Sequence, residues 1–337
     1  MRKFLARSRF LVGALAFLML AAIAIPAATQ QPSSVNPTAS SVKEDQLLRE
    51  LHRVQGRGSI PDVKSYTVEQ PAGREWRWVQ EVVLPWTAAI AIVGMLVLLA
   101  AFYLIRGAVP LDGGRSGRTV VRFNGLERFA HWLTASCFLI QALTGLNITF
   151  GKRLLLPLMG PEAFTTLSEF AKYAHNFSSF PFVLGLVLIA ALWIRDNIPN
   201  ALDMQWLREG GGIVGSKHPP APHFNAGQKL VFWIVLLFGA AAAISGYLLM
   251  FPFYLTDIAG MQLDQIVHSV IGFLFIAVMI SHIYIGTLGM EGAFEAMGTG
   301  EVDLNWAKQH HSLWLEQELG KGRAATPPSG ATATPAE

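Results

Sequence analysis

The chain has 337 residues, of which 52% are hydrophobic and 15% are charged, and its formal net charge at pH 7 is +3. Soluble domains carry about 25% charged residues, so this composition excludes an ordinary soluble enzyme and favours a membrane protein. The small net charge, with basic residues beside apolar segments, argues against nucleic acid as a partner. The single cysteine, Cys137, cannot supply the four thiolates of an iron–sulfur site, so any metal must be held mainly by histidine.

Residues 1–28 have the pattern of a secretory signal peptide or of an uncleaved membrane anchor. A basic start is followed by an apolar stretch over residues 10–25 and then by small residues. Both interpretations place the polar residues 29–80 outside the cytoplasm. Tryptophans, which favour membrane interfaces, mark the beginning of the next apolar segment: Trp76, Trp78 and Trp86.

Five apolar segments follow, each long enough to cross a membrane. They cover approximately residues 82–105, 129–150, 177–194, 230–252 and 267–289. The loops at 106–128 and 195–229, together with the tail at 290–337, carry more Lys and Arg than the loops between them. The positive-inside rule therefore places those two loops and the tail in the cytoplasm. We expect an all-α membrane protein in which residues 82–105 precede a four-helix bundle over residues 129–289.

Four histidines lie at the ends of these apolar segments: His131, His175, His268 and His282. An ionisable residue inside a membrane is costly and usually marks a function. The last two are 14 residues apart on one predicted helix. They therefore share a face of that helix and are separated by about 21 Å along its axis. Because the hydrocarbon core of a membrane is about 30 Å thick, the two histidines are expected near its opposite sides.

Depth in the membrane pairs the four histidines. His131 opens a span that starts in the cytoplasm, where His282 also lies. His175 opens a span that starts outside, where His268 also lies. Two neutral imidazoles at each depth suit low-spin haem iron, and the paired glutamates of a di-iron centre are missing from the spans. The sequence therefore predicts an inner haem b on His131 and His282 and an outer haem b on His175 and His268.

Other roles for histidine stay open on the residues alone. Spans of proton channels and transporters also contain histidine relays, and a lone histidine often only satisfies packing. Among the other histidines, His52 and His218 are predicted to be solvated loop residues, and His223 is a candidate proton carrier. For His310 and His311, the tryptophans beside them favour an interfacial segment or a partner contact over metal binding.

The second and fourth spans share a short pattern. Trp132 precedes Thr144 by the interval that separates Trp233 from Ser245, and a glycine follows in both copies. Phe232 takes the place that His131 has in the first copy. Either an internal duplication or the general use of small residues in helix packing explains the pattern.

A polar segment leads into the fourth span on its cytoplasmic side. Asn225 and Gln228 offer amide groups, and Gly227 permits close approach, so these residues are candidate contacts for a quinone carbonyl near the inner haem. Helix capping is the alternative explanation for the same residues.

Several stretches match one family in the right order. They are residues 128–132, 196–199, 225–229 and 306–314, together with His268, His282 and Tyr284. Over about residues 122–318, the chain resembles the γ (cytochrome b) subunit of membrane-bound formate dehydrogenases. Residues 1–121 extend beyond the compact members of that family, so the expected fold is a four-helix di-haem cytochrome b bundle with one extra N-terminal transmembrane helix.

The resemblance implies a non-catalytic electron-transfer subunit with two haem b groups in a bacterial inner membrane. Its implied partners are an iron–sulfur β subunit and a molybdenum- or tungsten-containing formate-oxidising α subunit, and its acceptor is menaquinone or ubiquinone. By position, the family's haem ligands fall on the histidine pairs given above, and its quinone segment falls on Asn225, Gly227 and Gln228. Hydrogenase and thiosulfate-reductase cytochrome b subunits are the alternatives within the same class.

Overall fold

The computed structural model describes residues 71–212 and 217–321. Within these residues, five helices are long and apolar enough to cross a membrane, as the sequence predicts. They are Glu75–Arg106, Gly125–Leu154, Leu156–Trp193, Ala226–Met250 and Ile258–Gly289. Because the chain has these five helices, it is a multi-pass membrane protein. The predicted signal at 1–28 and the greater part of the polar segment at 29–80 lie outside the described residues.

The chain divides into two compact units, Met1–Val79 and Gln80–Glu337. The described end of the first unit is α1, Pro71–Trp78, followed by a π-helical segment, Val79–Val83, that leads into the second unit. The second unit contains the long helices α2 (Leu84–Arg106), α3 (Gly125–Leu154), α4 (Leu156–Trp193), α6 (Ala226–Met250) and α7 (Ile258–Tyr284). The short helix α5, Ala201–Arg208, lies between α4 and α6.

Polar side chains cap the beginnings of α3, α6 and α7. The Asn124 side chain accepts hydrogen bonds from the backbone at the start of α3, and the Glu127 carboxylate accepts one from the Asn124 backbone N–H. Asn225 and Gln228 form the same reciprocal box on α6, and Asp257 caps α7. Such a cap stabilises a helix by about 1 kcal/mol. The helices therefore start several residues before the predicted spans, which follow apolarity alone.

Helix α4 differs most from the prediction, which has a span at 177–194 opened by His175. A break at Gly160, where φ is 78°, is followed by Pro161, and the chain is then helical through residue 193. His175 consequently lies well inside a helix and not at its beginning. The polar residues 161–176 lower the hydropathy of this stretch, but they do not interrupt its backbone hydrogen bonds.

Small residues allow the helices of the bundle to approach closely. Helix α3 packs on α4, α6 packs on α7 and on α4, and the extra helix α2 packs on α7. A Cβ atom on Gly185 of α4 would lie 2.3 Å from Oγ1 of Thr134 on α3. A Cβ atom on Gly239 of α6 would lie 2.8 Å from Leu186 on α4. Gly185 therefore leaves no room for a side chain against Thr134, and a side chain at Gly239 would have to displace the end of Leu186.

One end of the bundle carries a small folded cap, defined here as residues 107–124 and 290–321. In it, β1 (Thr119–Val121) pairs antiparallel with β2 (Glu301–Asp303), beside the short helices α8 (Glu295–Gly298), α9 (Leu304–His310) and α10 (Ser312–Gly320). Its buried apolar residues include Leu111, Val120, Phe123, Val302, Trp306 and Trp314. The predicted all-α class holds for the spans, and the two three-residue strands lie outside them.

Candidate functional site

The bundle brings the four predicted histidines together as two pairs. The ring centres of His131 and His282 are 6.3 Å apart, with 56° between the ring planes. The ring centres of His175 and His268 are 6.0 Å apart, with 72° between the planes. Helix α7 contributes one histidine to each pair, and α3 and α4 contribute the others. These are the pairs that membrane depth gives from the sequence.

Hydrogen bonds fix both rings of the His175–His268 pair. Nδ1 of His175 lies 3.1 Å from the Gln141 carbonyl oxygen and 2.9 Å from Oγ1 of Thr144. Because a carbonyl oxygen can only accept a hydrogen bond, Nδ1 carries the ring proton. Nε2 then has a free lone pair. This is the tautomer that a histidine needs in order to bind a metal through Nε2.

His268 of α7 is held in the same way by residues of α6. Its Nδ1 lies 2.9 Å from the Ala242 carbonyl oxygen and 3.3 Å from Oγ of Ser245. In each case the carbonyl belongs to the residue three positions before the hydroxyl residue. The short pattern shared by the second and fourth spans is thus a pair of matching seats, one for each histidine.

Glycines complete the two seats. A Cβ atom on Gly246 would lie 3.1 Å from Cε1 of His268, which is closer than side chains normally approach. A Cβ atom on Gly145 would lie 3.5 Å from Cε1 of His175, an ordinary contact distance. The His268 seat therefore fits glycine tightly, so that a methyl group would push the ring aside, whereas the His175 seat has room for a methyl group.

The His131–His282 pair lacks such a seat. Nδ1 of His131 is buried and has no hydrogen-bond partner among the described residues. The neighbouring structure is aromatic: Trp132 meets the His131 ring edge-on, with ring centres 5.1 Å apart. Phe102 and Tyr103 of α2 each meet Tyr284, two residues after His282, with ring centres 6.4 Å apart.

The residues present fit a bis-histidine haem. Two imidazoles that bind one metal ion at about 2 Å from each nitrogen have ring centres about 6 Å apart. Both observed separations agree with that value. The part of the chain that the structure describes contains no group of three or more His, Cys, Asp or Glu side chains placed to hold a metal ion. Two imidazoles on opposite sides of a haem iron satisfy this donor set, whereas a protein-only metal centre does not.

A family model for prokaryotic cytochrome b561 matches residues 122–300, which is more than half of the chain. The chain belongs to the prokaryotic cytochrome b561 family. The match begins in the cap, continues through α3, α4, α6 and α7, and leaves α2 outside. Family membership makes this chain an electron-transfer cytochrome of the b type, and it supports haem b as the cofactor.

Curated relatives match over a similar part of the chain. The formate dehydrogenase cytochrome b556(fdo) subunit of Escherichia coli K12 is 29% identical over 203 residues, which are 59% of this chain and 93% of the relative. The nitrate-inducible cytochrome b556(Fdn) subunit of the same organism is 26% identical over 61% of this chain and 94% of its own length. The formate dehydrogenase cytochrome b556 subunit of Haemophilus influenzae is 25% identical over 59% of this chain and 84% of its own length.

The predicted quinone residues of this cytochrome lie at the start of α6, where they cap the helix. Oδ1 of Asn225 accepts from the Gln228 amide at 3.0 Å, and Oε1 of Gln228 accepts from the Asn225 amide at 3.1 Å. A Cβ atom on Gly227 would lie 3.0 Å from the Trp206 ring of α5. Capping, the alternative explanation, therefore accounts for the side-chain oxygens and leaves the two amide NH2 groups as donors.

Sequence reasoning missed the contacts of Lys229, which it used only as a loop charge and as part of the matched stretch 225–229. This side chain is buried, and its ammonium donates to the Ile198 carbonyl at 3.1 Å and to Asp203 at 2.9 Å. It thereby ties the loop after α4 to the beginning of α6. A lysine next to the apolar run of the fourth span is the signal that points to such a buried contact.

The structure contradicts the interfacial segment predicted for His310 and His311 and the solvent exposure predicted for His218. His311 is fully buried, and its Nδ1 donates to the Pro222 carbonyl at 2.8 Å while its Nε2 accepts from Arg122 at 3.1 Å. His310 is also buried, so the two histidines belong to the core of the cap and not to an interfacial segment. His218 was predicted to be solvated, but its Nε2 lies 2.8 Å from Asp112 and its side chain is mostly covered.

Burial keeps the histidines near Arg122 uncharged at neutral pH. It lowers the pKa of His310 to about 4 and that of His223 to about 3, with the Arg122 charge acting in the same direction. The pKa of His311 is lowered well below its usual value for the same reasons. Burial lowers the pKa of Arg122 to about 9. Near pH 7 the cap core therefore holds a charged arginine among neutral histidines.

Proposed function

We propose that this chain is the two-haem electron-transfer subunit of a formate dehydrogenase complex and that it passes electrons to a quinone. The observation that carries the proposal is the pair of facing histidines at each of two levels of helix α7. An electron carrier that spans a membrane needs redox centres at both sides. One helix that presents two ligand histidines 14 residues apart supplies that spacing, about 21 Å.

In this proposal His131 and His282 hold one haem b, and His175 and His268 hold the other. The haems supply one-electron chemistry at potentials set by the axial ligands, the hydrogen bonds to those ligands and the burial of the site. The chain's own residues place the imidazoles, fix the Nε2 lone pairs of His175 and His268, and exclude water with the apolar side chains of the bundle.

The names of the relatives support the partners. Relatives that align over most of their length are cytochrome b556 subunits of formate dehydrogenases, which implies a multi-subunit complex. We assign this chain an iron–sulfur β subunit and a molybdenum- or tungsten-containing α subunit as partners. The positive-inside rule supports insertion in a bacterial inner membrane with residues 29–80 in the periplasm and the cap in the cytoplasm. His175 and His268 then hold the outer haem, which receives the electrons.

The proposed quinone site is the start of α6 near the inner haem. The capping box uses the oxygens of Asn225 and Gln228, so Nδ2 of Asn225 and Nε2 of Gln228 are the donors for a quinone carbonyl. Asn225→Asp separates the two roles, because aspartate keeps the capping oxygen and loses the NH2 donor. Asn124→Asp makes the same change in the matching box of α3 and serves as the control.

We expect Asn225→Asp to weaken quinone-site inhibitors while both haems keep their spectra, and Asn124→Asp to leave inhibitor affinity unchanged. Equal inhibitor affinity in both variants would remove Asn225 from the quinone site.

The whole proposal is tested by purifying the complex in mild detergent. A reduced-minus-oxidised spectrum with a b-type α band, two haems per chain, and co-purifying iron–sulfur and formate-oxidising subunits are the expected results. Co-purification with a hydrogenase or thiosulfate-reductase catalytic subunit would keep the cytochrome and change the partner. Absence of haem from the purified protein would refute the electron-transfer role and favour a histidine-relay channel or transporter.

A further inference from the structure

We propose that Thr144 and Ser245 are matched positioning residues for the His175–His268 pair, and that they lower the reduction potential of its haem relative to the other haem. The inference rests on the proposed function, because it assigns a haem to each pair. It goes beyond that function because it gives the electron path a built-in direction.

The Thr144 and Ser245 hydroxyl groups each present their oxygen atom to a histidine. Oγ1 of Thr144 lies 2.6 Å from the Ile140 carbonyl oxygen, and Oγ of Ser245 lies 2.7 Å from the Ala241 carbonyl oxygen. Each hydroxyl has one hydrogen, and a carbonyl of its own helix takes it. The hydroxyl oxygen therefore faces the histidine as an acceptor.

The Nδ1 proton of each histidine has two acceptors. Nδ1–H of His175 lies between the Gln141 carbonyl and Oγ1 of Thr144, at 3.1 and 2.9 Å. Nδ1–H of His268 lies between the Ala242 carbonyl and Oγ of Ser245, at 2.9 and 3.3 Å. Acceptors at the far nitrogen make an imidazole a more basic ligand. A more basic ligand stabilises the oxidised, more positively charged iron and so lowers the reduction potential.

The His131–His282 pair differs from the His175–His268 pair in these acceptors. Nδ1 of His131 is buried without a partner among the described residues, so no acceptor raises its basicity. In the shared pattern of the two spans, His131 itself stands at the position of Phe232, outside the Thr–Gly and Ser–Gly seats. The repeated hydroxyl–glycine pattern thus serves one haem only, and electrons move from the His175–His268 haem to the other haem toward higher potential.

The test is a spectroelectrochemical titration of the two haems in the purified complex. Thr144→Val keeps the shape of the side chain and removes the acceptor, and Ser245→Ala removes the hydroxyl without adding bulk. Each variant should raise the midpoint potential of one haem and leave the other unchanged, with the double variant shifting furthest. At an ambient potential fixed at the wild-type midpoint, we expect the reduced-to-oxidised ratio of that haem to rise three- to tenfold, where tenfold corresponds to about 59 mV.

Two variants provide controls. Thr149→Val removes another α3 hydroxyl that bonds a carbonyl of its own helix, at 3.0 Å from the Gly145 oxygen, and no hydrogen bond joins that hydroxyl to a histidine. It should leave both potentials unchanged. Thr144→Ser restores the acceptor and should restore the wild-type potential.

Equal shifts in Thr144→Val and Thr149→Val, a lowered potential, or a shift of the other haem alone would overturn the inference. If Thr144→Val loses its haem, Ser245→Ala decides, and an unshifted potential there counts against the proposal. Absence of haem from the wild-type protein is a different result, because it refutes the proposed function itself.

Discussion

The two histidine pairs are built by different kinds of contact. The His175–His268 pair is held within two helix hairpins, by hydroxyl and carbonyl groups 23 to 34 residues from each histidine. The His131–His282 pair lies at the end of the bundle where the chain returns, beside the extra helix α2 and the cap. Hydrogen bonds of the cap join residues as far as 199 positions apart. The His175–His268 pair is therefore encoded locally, whereas the surroundings of the His131–His282 pair depend on the tertiary structure.

Removing one ligand from each pair is the strongest way to separate the two ends. His282→Ala should remove one haem and abolish quinone reduction, while formate oxidation with an artificial acceptor continues. His175→Ala should remove the other haem and block electron entry. Haem stoichiometry and difference spectra of the two variants check this, and loss of both haems in either variant would show that the sites are not independent.

The local encoding explains how much of the site the sequence predicts. Two histidines 14 residues apart on one helix, combined with alternating loop charge, are enough to predict both pairs from the sequence. The Thr144–Gly145 and Ser245–Gly246 repeats are visible as a pattern, but only the structure shows that they hold histidine rings. Hydropathy also fails at the helix ends, because caps such as Asn124 and Asp257 act through single hydrogen bonds.

The cap could not be predicted in the same way. Arg122 contacts His223 and His311, which are 101 and 189 residues further along the chain, and its guanidinium packs on Phe123, Trp306 and Trp314. No short-range pattern links these positions, so the sequence predicts a proton carrier at His223 and an interfacial segment or partner contact at His311 and not a shared buried core.

Breaking the cap should affect one end of the bundle more than the other. Arg122→Met leaves the His223 carbonyl and His311 Nε2 without their donor, so we expect the free energy of unfolding to fall by about 3 kcal/mol. Thermal unfolding in detergent measures this. Arg115→Met removes an exposed ion pair with Glu295 and should cost less than about 1 kcal/mol. Equal losses in both variants would contradict the assignment of Arg122 to the cap core.

Acid should weaken the same end. Burial holds the pKa of His310 at about 4 in the folded protein, against 6.5 for an ordinary histidine. The unfolded chain therefore binds the proton first, and stability that is fully present above pH 6.5 is lost as the pH falls toward 4. Between pH 6.5 and 5, this one residue accounts for about 2 kcal/mol. Unfolding midpoints of wild type and His310→Gln across that range test the effect, and parallel curves would rule it out.

The smallest expected change compares the two glycines of the local seats. An alanine methyl group at Gly246 would lie 3.1 Å from Cε1 of His268, so the ring has to shift by a few tenths of an ångström, whereas at Gly145 the corresponding distance is 3.5 Å. Alanine also favours the helix by up to about 1 kcal/mol in both places. Gly246→Ala should therefore alter the spectrum and potential of the His175–His268 haem with little loss of stability, and Gly145→Ala should leave them unchanged. If the two variants behave alike, the close approach of α6 and α7 does not fix the ring of His268, and the hydrogen bonds alone hold it.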